Sequence, residues 1–171
     1  MTVPTAPPTT ADPYAVPPVI DAAYVNRVLA AFDAAVGDVV RMVVSAKAVT
    51  PEAMEKLKAL YAGEALSLQV DGFQTEWAQG FRGYKPVIGN QKTSVTELIT
   101  NNHRCVFARV ARDYSEVGEF PDPGLSDQYV ALKLLEPSSD PNHYNPTPWI
   151  MTYDGFTKSR SRPLDPCASI S

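Results

Sequence analysis

The sequence lacks the residue clusters that most charged partners require. Its 171 residues contain 15 lysines and arginines against 19 acids, for a net charge of -4. Nucleic acids and anionic membranes bind clustered lysine and arginine, and because no such stripe occurs, no nucleic-acid partner is predicted. No apolar run reaches the roughly 18 residues of a membrane span, so any membrane contact is expected only through a tether or anchor outside this sequence.

The sequence also lacks the motifs of metal, phosphate and nucleophilic sites. Zinc sites need several His, Cys or carboxylate ligands at short spacings, whereas His103 and His143 have no such partner nearby. There is no glycine-rich phosphate loop and no nucleophile elbow. We therefore predict no metal, no cofactor and no catalytic residue, and interpret both histidines as surface residues.

The N-terminal segment is rich in proline and threonine. Residues 1–18 contain six of the 16 prolines and a single charged residue, Asp12. Such a composition buries too little apolar area to offset its ordering entropy, so residues 1–19 are predicted to be a disordered tether. Because the length suits one core, a single α+β domain is expected over residues 20–157, followed by a C-terminal tail over residues 158–171.

The strongest periodic pattern predicts a long first helix. Apolar residues recur three or four apart between residues 25 and 43, which predicts a helix over residues 21–46 with one buried stripe. Asp21 can cap its first turn. Asp33 and Asp38 are expected to point away from the stripe.

Two shorter helices are predicted to follow. Thr50 can cap a helix that has proline in its first turn, and Gly63 can close it. Apolar residues at spacings of three and four then continue to Trp77, before Gly80 ends the third helix.

The stretch from residue 92 to residue 156 alternates between β-rich segments and polar loops. Four strands are predicted, over residues 93–100, 105–114, 129–135 and 149–156. In the second strand, Val106, Ala108 and Val110 are expected to face the core. Helices followed by a meander of strands predict an α+β fold, with three helices packed on a curved antiparallel sheet of three to five strands.

The two cysteines suggest a crosslink. Cys105 opens an apolar strand, whereas Cys167 lies in a proline-containing tail that offers it no packing partner. In a reducing cytosol they would be unrelated thiols. A disulfide explains the tail cysteine better, and it would hold the C-terminal tail against the sheet. It also predicts an oxidising compartment, so the domain is expected to be secreted or extracytoplasmic, with any membrane anchor outside this sequence.

Carboxylates inside a curved sheet could act as a general acid or base, because burial raises their pKa values. The candidates are Asp113, Asp154 and Glu97, with Tyr24, Tyr114 and Tyr153 as donors. The alternative is that each carboxylate pairs with an arginine on the solvent face. For Asp154 we expect this alternative, because Arg109 and Arg112 lie on a neighbouring strand and the following glycine predicts an exposed bend.

A ligand pocket is the other site that the sheet could form. Its candidate lining residues are Trp77, Phe107, Trp149, Tyr153 and Asp154. The aromatic residues among them are more commonly core residues. Because strand alternation sends Tyr153 and Asp154 to opposite faces, only one of the two can enter a pocket.

The order of elements resembles a known superfamily. A long first helix, two shorter helices and a curved meander ending in a tryptophan-bearing strand, over residues 21–156, resemble the nuclear transport factor two-like, or cystatin-like, superfamily. The proline and threonine tether and the final stretch, residues 147–156, resemble extracytoplasmic proteins of actinobacteria, including outer domains of mammalian-cell-entry-associated proteins and conjugation scaffold proteins. The resemblance implies a cone-like, cystatin-like roll.

The resemblance implies two functions of different classes. Scaffold members imply a non-catalytic extracytoplasmic interaction or assembly module, which binds a protein partner or self-associates across its exposed sheet face. Enzyme members such as ketosteroid isomerase and limonene epoxide hydrolase imply the alternative, which is binding of a small apolar ligand or general acid-base chemistry in the cone. A closed aliphatic interior would favour the first function, and a cavity of roughly 300 Å³ with convergent polar groups would favour the second.

Overall fold

A computed structural model describes residues 15–119, 128–136, 143–156 and 163–168, and in this part of the chain the helices precede the strands. The elements are α1 (Ala22–Ala46), α2 (Pro51–Leu60), α3 (Gly63–Ala78), β1 (Lys92–Asn101), β2 (Cys105–Asp113), β3 (Gln128–Leu134) and β4 (Trp149–Phe156). The strands form an open antiparallel sheet in the order β1-β2-β3-β4. The predicted α+β class, with three helices before an antiparallel sheet, is confirmed.

Helix α1 buries the stripe that the sequence predicts. Asp21 caps the helix by accepting a hydrogen bond from the amide of Tyr24 at 2.7 Å. All the predicted stripe residues are buried, namely Val25, Val28, Leu29, Phe32, Val36, Val39, Val40 and Val43. Asp38 lies off the stripe, with 63% of its side chain exposed. The same expectation was wrong for Asp33, which is buried because polar groups of β1 bind its carboxylate.

Helix α2 begins after the predicted cap residue, and helix α3 begins at the glycine that was predicted to close α2. Thr50 accepts a hydrogen bond from the amide of Ala53 at 3.2 Å, which starts α2. Gly63 begins α3 with φ at 58°, a left-handed conformation that glycine adopts at little cost. Between the two helices, the amide of Ala62 donates to the carbonyl of Met151 at 2.9 Å, so this connection is attached to β4.

The two faces of the sheet are covered differently. The helices cover one face, and the main core lies between them and the sheet. Val106, Ala108 and Val110 point into this core, as predicted. We call the opposite side the outer face. It carries a second apolar cluster, formed by Cys105, Phe107, Tyr129, Ala131 and Cys167.

A disulfide joins Cys105 to Cys167, as predicted, with their Cα atoms 5.7 Å apart. It attaches residues 163–168 to the outer face. Asp165 in this segment also accepts a hydrogen bond from the hydroxyl of Thr100 on β1. The disulfide is compatible with an extracytoplasmic location, because such bonds persist in oxidising compartments.

Much of the predicted tether and tail, namely residues 1–14, 157–162 and 169–171, lies outside the described residues. In the described part of the tether, Val16 is partly buried against the main core. Among the helices that the structure describes, none combines the length and apolar character needed to cross a membrane.

Removing the disulfide should lower the stability of the domain. A disulfide that closes a loop of this length stabilises the folded state by about 4 kcal/mol, because it lowers the conformational entropy of the unfolded chain. The Cys105→Ser/Cys167→Ser variant should therefore unfold roughly 10 °C below the wild type in thermal scans followed by circular dichroism. Reductant should lower the wild-type Tm and leave that of the variant unchanged. Two alkylatable thiols in the folded, oxidised protein would contradict this prediction.

Candidate functional site

A cavity of about 300 Å³ lies between the helices and one end of the sheet. Its walls come from α1, Tyr61 after α2, α3, the segment between α3 and β1, the end of β2 with the residues that follow it, and Asp154 of β4. The lining residues are Val36, Gly37, Val40, Tyr61, Gln69, Gly72, Phe73, Glu76, Tyr84, Gly89, Gln91, Arg112, Tyr114, Val117 and Asp154. Several of these are polar, so the cavity differs from the aliphatic core beside it.

One part of the cavity wall is apolar and belongs to the main core. Val36 and Val40 of α1, Phe73 of α3 and Val117 supply it, and all four are buried. Gly72 of α3 is exposed, and a β-carbon added there would meet no atom within 4 Å. The cavity therefore combines a fixed apolar wall with an opening beside Gly72, an arrangement typical of ligand pockets.

A buried ion pair forms the sheet side of the cavity. Arg112 Nη1 donates to Asp154 Oδ1 at 2.6 Å, and the two side chains are only 6% and 5% exposed. Gln69 of α3 donates to the other oxygen of Asp154 at 3.1 Å. Burial by itself would lower the pKa of Arg112, but the Asp154 carboxylate, together with Tyr114 and Tyr61, raises it, so the guanidinium stays charged. Arg112 is thus the expected partner, whereas the expectation of a solvent-facing Asp154 at an exposed bend was wrong.

A bulge in β4 explains why Asp154 faces the cavity. Met151 and Tyr153 pair with adjacent residues of β3, so Thr152 is one extra residue in β4. Because a bulge reverses the alternation of side chains, Met151 and Asp154 both face the helices, and Tyr153 packs on the outer face. The prediction that Tyr153 and Asp154 point to opposite faces is confirmed.

Asp33 connects α1 to the same end of the sheet. Its carboxylate accepts hydrogen bonds from the Thr93 amide at 2.6 Å, from the Thr93 hydroxyl at 2.8 Å and from Gln91 at 2.8 Å. Arg112 Nε donates to the same hydroxyl at 3.3 Å. Burial raises the pKa of Asp33, and the hydrogen bonds from Gln91 and Thr93 reduce that rise. One polar network therefore extends from α1 through β1 to the ion pair.

Glu76 of α3 is a second carboxylate at the cavity. It accepts a hydrogen bond from the hydroxyl of Tyr84. Burial raises the pKa of Glu76, although this hydrogen bond lowers it in part. Burial also raises the pKa of Tyr84, and the bond to Glu76 raises it further. Within the part of the chain that the structure describes, Glu76 forms no ion pair.

These groups give the cavity two kinds of polar surface. Arg112 and Asp154 neutralise each other and present a fixed dipole. Glu76 presents a carboxylate whose raised pKa suits it to accept a proton or a positively charged group. Burial raises the pKa of Tyr61, so its hydroxyl stays protonated beside them.

The predicted pocket residues lie in different parts of the structure. Asp154 lines the cavity. Phe107 and Tyr153 lie on the outer face, with their ring centroids 6.4 Å apart. Trp149 is fully buried in the main core, where its indole nitrogen donates to a tyrosine hydroxyl of α1 at 2.8 Å. The side chain of Trp77 lies outside what the structure describes.

Most other acid-base candidates lie away from the cavity. Tyr114 lines it, but Glu97 and Asp113 are exposed, and a hydrogen bond from Ser115 lowers the pKa of Asp113. Tyr24 is buried in the main core. Both histidines are exposed, as predicted. Among the described residues, no group of three or more His, Cys, Asp or Glu side chains is placed to hold a metal ion.

Sequence reasoning did not identify Gln69, Glu76 or Tyr84. Gln69 and Glu76 are seven residues apart on α3 and so share one helix face, which is a pattern that could have shown a polar surface. Arg112 follows Val110 by two residues, so strand alternation already predicts that it faces the core. Tyr84 lies in the irregular segment before β1, where no periodicity indicates its orientation.

No family model matches this chain, and neither a curated protein nor a solved structure matches it. No function is therefore transferred from a relative. The resemblance of the element order to the cystatin-like superfamily stays a prediction.

Breaking the buried ion pair should reduce the free energy of unfolding far more than breaking an exposed ion pair. Arg112→Met leaves Asp154 buried without its cation, and should reduce the free energy of unfolding by about 3–5 kcal/mol. Lys92→Met is the matched control, since the Lys92–Glu116 pair has an equal 2.6 Å separation but side chains that are 63% and 52% exposed. In Lys92→Met the free energy of unfolding should fall by less than about 1 kcal/mol. Urea unfolding measures both, and equal losses would show that burial does not decide the cost.

Glu76 should make stability fall as the pH rises above its ordinary pKa of 4.5, because burial raises its pKa in the folded state. Between the two pKa values the folded state keeps a proton that the unfolded state has lost, so the free energy of unfolding decreases with pH. Glu76→Gln removes this dependence and keeps an acceptor for Tyr84. The wild type should therefore lose stability relative to Glu76→Gln in urea unfolding as the pH rises through and above 4.5. A relative gain would refute the assignment.

Proposed function

We propose that this domain binds a small organic molecule in the cavity between α1, α3 and the sheet. The supporting observation is a volume of about 300 Å³ that combines an apolar wall with convergent polar side chains. Ligand pockets occupy roughly 300–1,000 Å³ and have mostly apolar walls with a few placed polar groups. The cavity therefore has the volume and the convergent polar groups expected of a ligand site.

The polar side of the cavity is ordered before any ligand binds. Arg112 donates to Asp154 and to Thr93, and Asp154 also accepts from Gln69. Because these side chains are already held in place, binding does not have to order them, and the entropic cost of binding is reduced. A ligand with an apolar body against α1 and α3 and one polar end fits this arrangement.

Proton transfer to the bound ligand is a second candidate function. The observation that favours it is Glu76, which lines the cavity, has a raised pKa and accepts a hydrogen bond from Tyr84. These are properties of a general acid or base. Asp154 is less suited to this role, because Arg112 and Gln69 engage its two oxygens.

The interaction or assembly module predicted from the sequence would use the outer face of the sheet. Part of this face is covered by residues 163–168, which the disulfide attaches beside Phe107 and Tyr129. Binding of a protein partner or of a second copy stays a prediction. The cavity gives more direct physical support to a small ligand.

We also propose an extracytoplasmic location and a variant of the cystatin-like roll. The disulfide supports the location, since cytosolic thiols are normally kept reduced. A long helix packed against an antiparallel sheet, with a cavity between them, supports the fold relationship.

Filling the cavity mouth should abolish ligand binding. Gly72 lies at the exposed edge of the cavity, and a β-carbon there meets no atom within 4 Å. Gly72→Phe should therefore fold and place its ring in the opening. Binding of fragments from a library of small amphipathic molecules, measured by ligand-observed NMR on the full chain, should become at least about tenfold weaker in this variant.

Gly72→Ala is the matched control. It adds a single methyl group and improves the helix propensity of α3 by about 1 kcal/mol, so it should be at least as stable as the wild type. It should also retain fragment binding. Fragments that bind Gly72→Phe as tightly as the wild type must bind elsewhere, and that result, or the absence of any fragment binding, would contradict the proposed function.

A further inference from the structure

We infer that the ligand of this cavity is an organic cation whose ammonium group lies between the Glu76 carboxylate and the aromatic rings of the cavity wall. The inference rests on the proposed ligand-binding function and adds the chemical class of the ligand. Its evidence is the balance of charge in the cavity, together with the rings that line it.

The charges that line the cavity leave an excess of negative charge. Arg112 and Asp154 are paired at 2.6 Å and nearly cancel each other. Glu76 remains, and within the described residues it forms no ion pair. Asp33 lies behind this wall, where its carboxylate accepts a hydrogen bond from Gln91, a residue that lines the cavity. A ligand anion would meet repulsion here, and a ligand cation would meet attraction.

Four aromatic residues are among those that line the cavity. They are Tyr61, Phe73, Tyr84 and Tyr114. The negative face of an aromatic ring attracts a cation, and proteins recognise quaternary ammonium groups with aromatic cages. Tyr84 joins the two features, because its hydroxyl donates to Glu76. An alkylammonium group near Glu76 would therefore contact carboxylate oxygens and ring faces together.

The donor set favours an organic cation over a metal ion. Hard metal ions need several oxygen ligands, and of the two cavity carboxylates Asp154 is already engaged by Arg112 and Gln69. Val36, Val40 and Phe73 offer apolar surface instead. This surface suits the carbon skeleton of an amphipathic amine.

The state of Glu76 in the unliganded protein agrees with this inference. Burial without a neighbouring cation disfavours the carboxylate form and raises the pKa of Glu76. A positively charged ligand beside it would reverse this effect. Ligand binding and ionisation of Glu76 are therefore expected to be coupled.

The experiment compares two probes that have the same shape and differ in charge. Choline carries a trimethylammonium group, and its carbon isostere carries a neutral tert-butyl group in the same position. NMR titration of the full, disulfide-bonded chain gives both dissociation constants. Choline should bind at least about tenfold more tightly than the isostere, because only the cation interacts favourably with Glu76 and the ring faces.

Glu76→Gln should remove the advantage of choline and leave binding of the isostere nearly unchanged. Glu116→Gln is the matched control, since Glu116 is an exposed carboxylate that pairs with Lys92 and does not line the cavity. It should preserve the advantage of choline. Equal effects of the two variants would indicate a long-range charge effect and would overturn the inference.

A pH titration of choline binding tests the same point with a second measurement. Affinity for choline should rise with pH above 4.5 as Glu76 ionises, and affinity for the isostere should not. The other ionisable residues of the cavity wall are Arg112, Asp154, Tyr61, Tyr84 and Tyr114. The pKa values of Arg112, Tyr61 and Tyr84 are raised, so these groups keep their charge state in this range. Comparison with Glu76→Gln isolates the contribution of Glu76 to the pH dependence.

The outcomes distinguish the two proposals. If the isostere binds as tightly as choline and Gly72→Phe abolishes both, the cavity binds ligands but the inference of a cation is wrong. If neither probe binds the wild type at millimolar concentration, the inference of a cation is also wrong, and the fragment library decides separately whether the cavity binds ligands.

Discussion

The buried ion pair between Arg112 and Asp154 is the contact on which this end of the fold depends. Two charges removed from water are tolerated only when each keeps its partner and its remaining hydrogen bonds. The pair joins β2 to β4 across β3, which lies between them. Gln69 and Thr93 extend these contacts to α3 and β1. A single polar network therefore joins α1 and α3 to this end of the sheet.

The wall opposite α3 depends on close packing of an irregular segment against α1. A β-carbon on Gly37 would lie 2.1 Å from the side-chain oxygen of Asn90, so a larger residue here would displace the Asn90 side chain. Arg41 secures the contact by donating to the carbonyl of Ile88 at 3.1 Å and to Asn90 at 3.0 Å. The cavity is therefore enclosed by a segment that has no regular structure but is firmly held, as a preformed pocket requires.

Sequence patterns predicted the elements better than the site, and the physical reason is the range of the interactions involved. The buried stripe of α1 and the alternation of β2 are local periodicities, and Cys167 had no local packing partner, so these features could be predicted. The environment of Asp154 could not, because the extra residue Thr152 reverses the alternation and no local pattern marks it. Glu76 and Tyr84 meet only in the folded chain. A charged residue is ordinarily expected in solvent, and the local sequence does not show that Asp154 neutralises Arg112 inside the fold.

Two features of the cavity are unfavourable for the fold by itself, and both lie on α3. Gly72 occupies a helix interior with open space beside it, where alanine would be more stable by about 1 kcal/mol. Glu76 is partly buried without a cation in the described structure, so folding disfavours its charged form. A sequence optimised only for packing would have other residues at both positions. Gly72 fills no space, and Glu76 completes no ion pair in the described structure. Both residues lie at one cavity, beside a polar network whose groups are hydrogen-bonded. The proposed binding function of the cavity would explain this placement, whereas the stability of the fold does not.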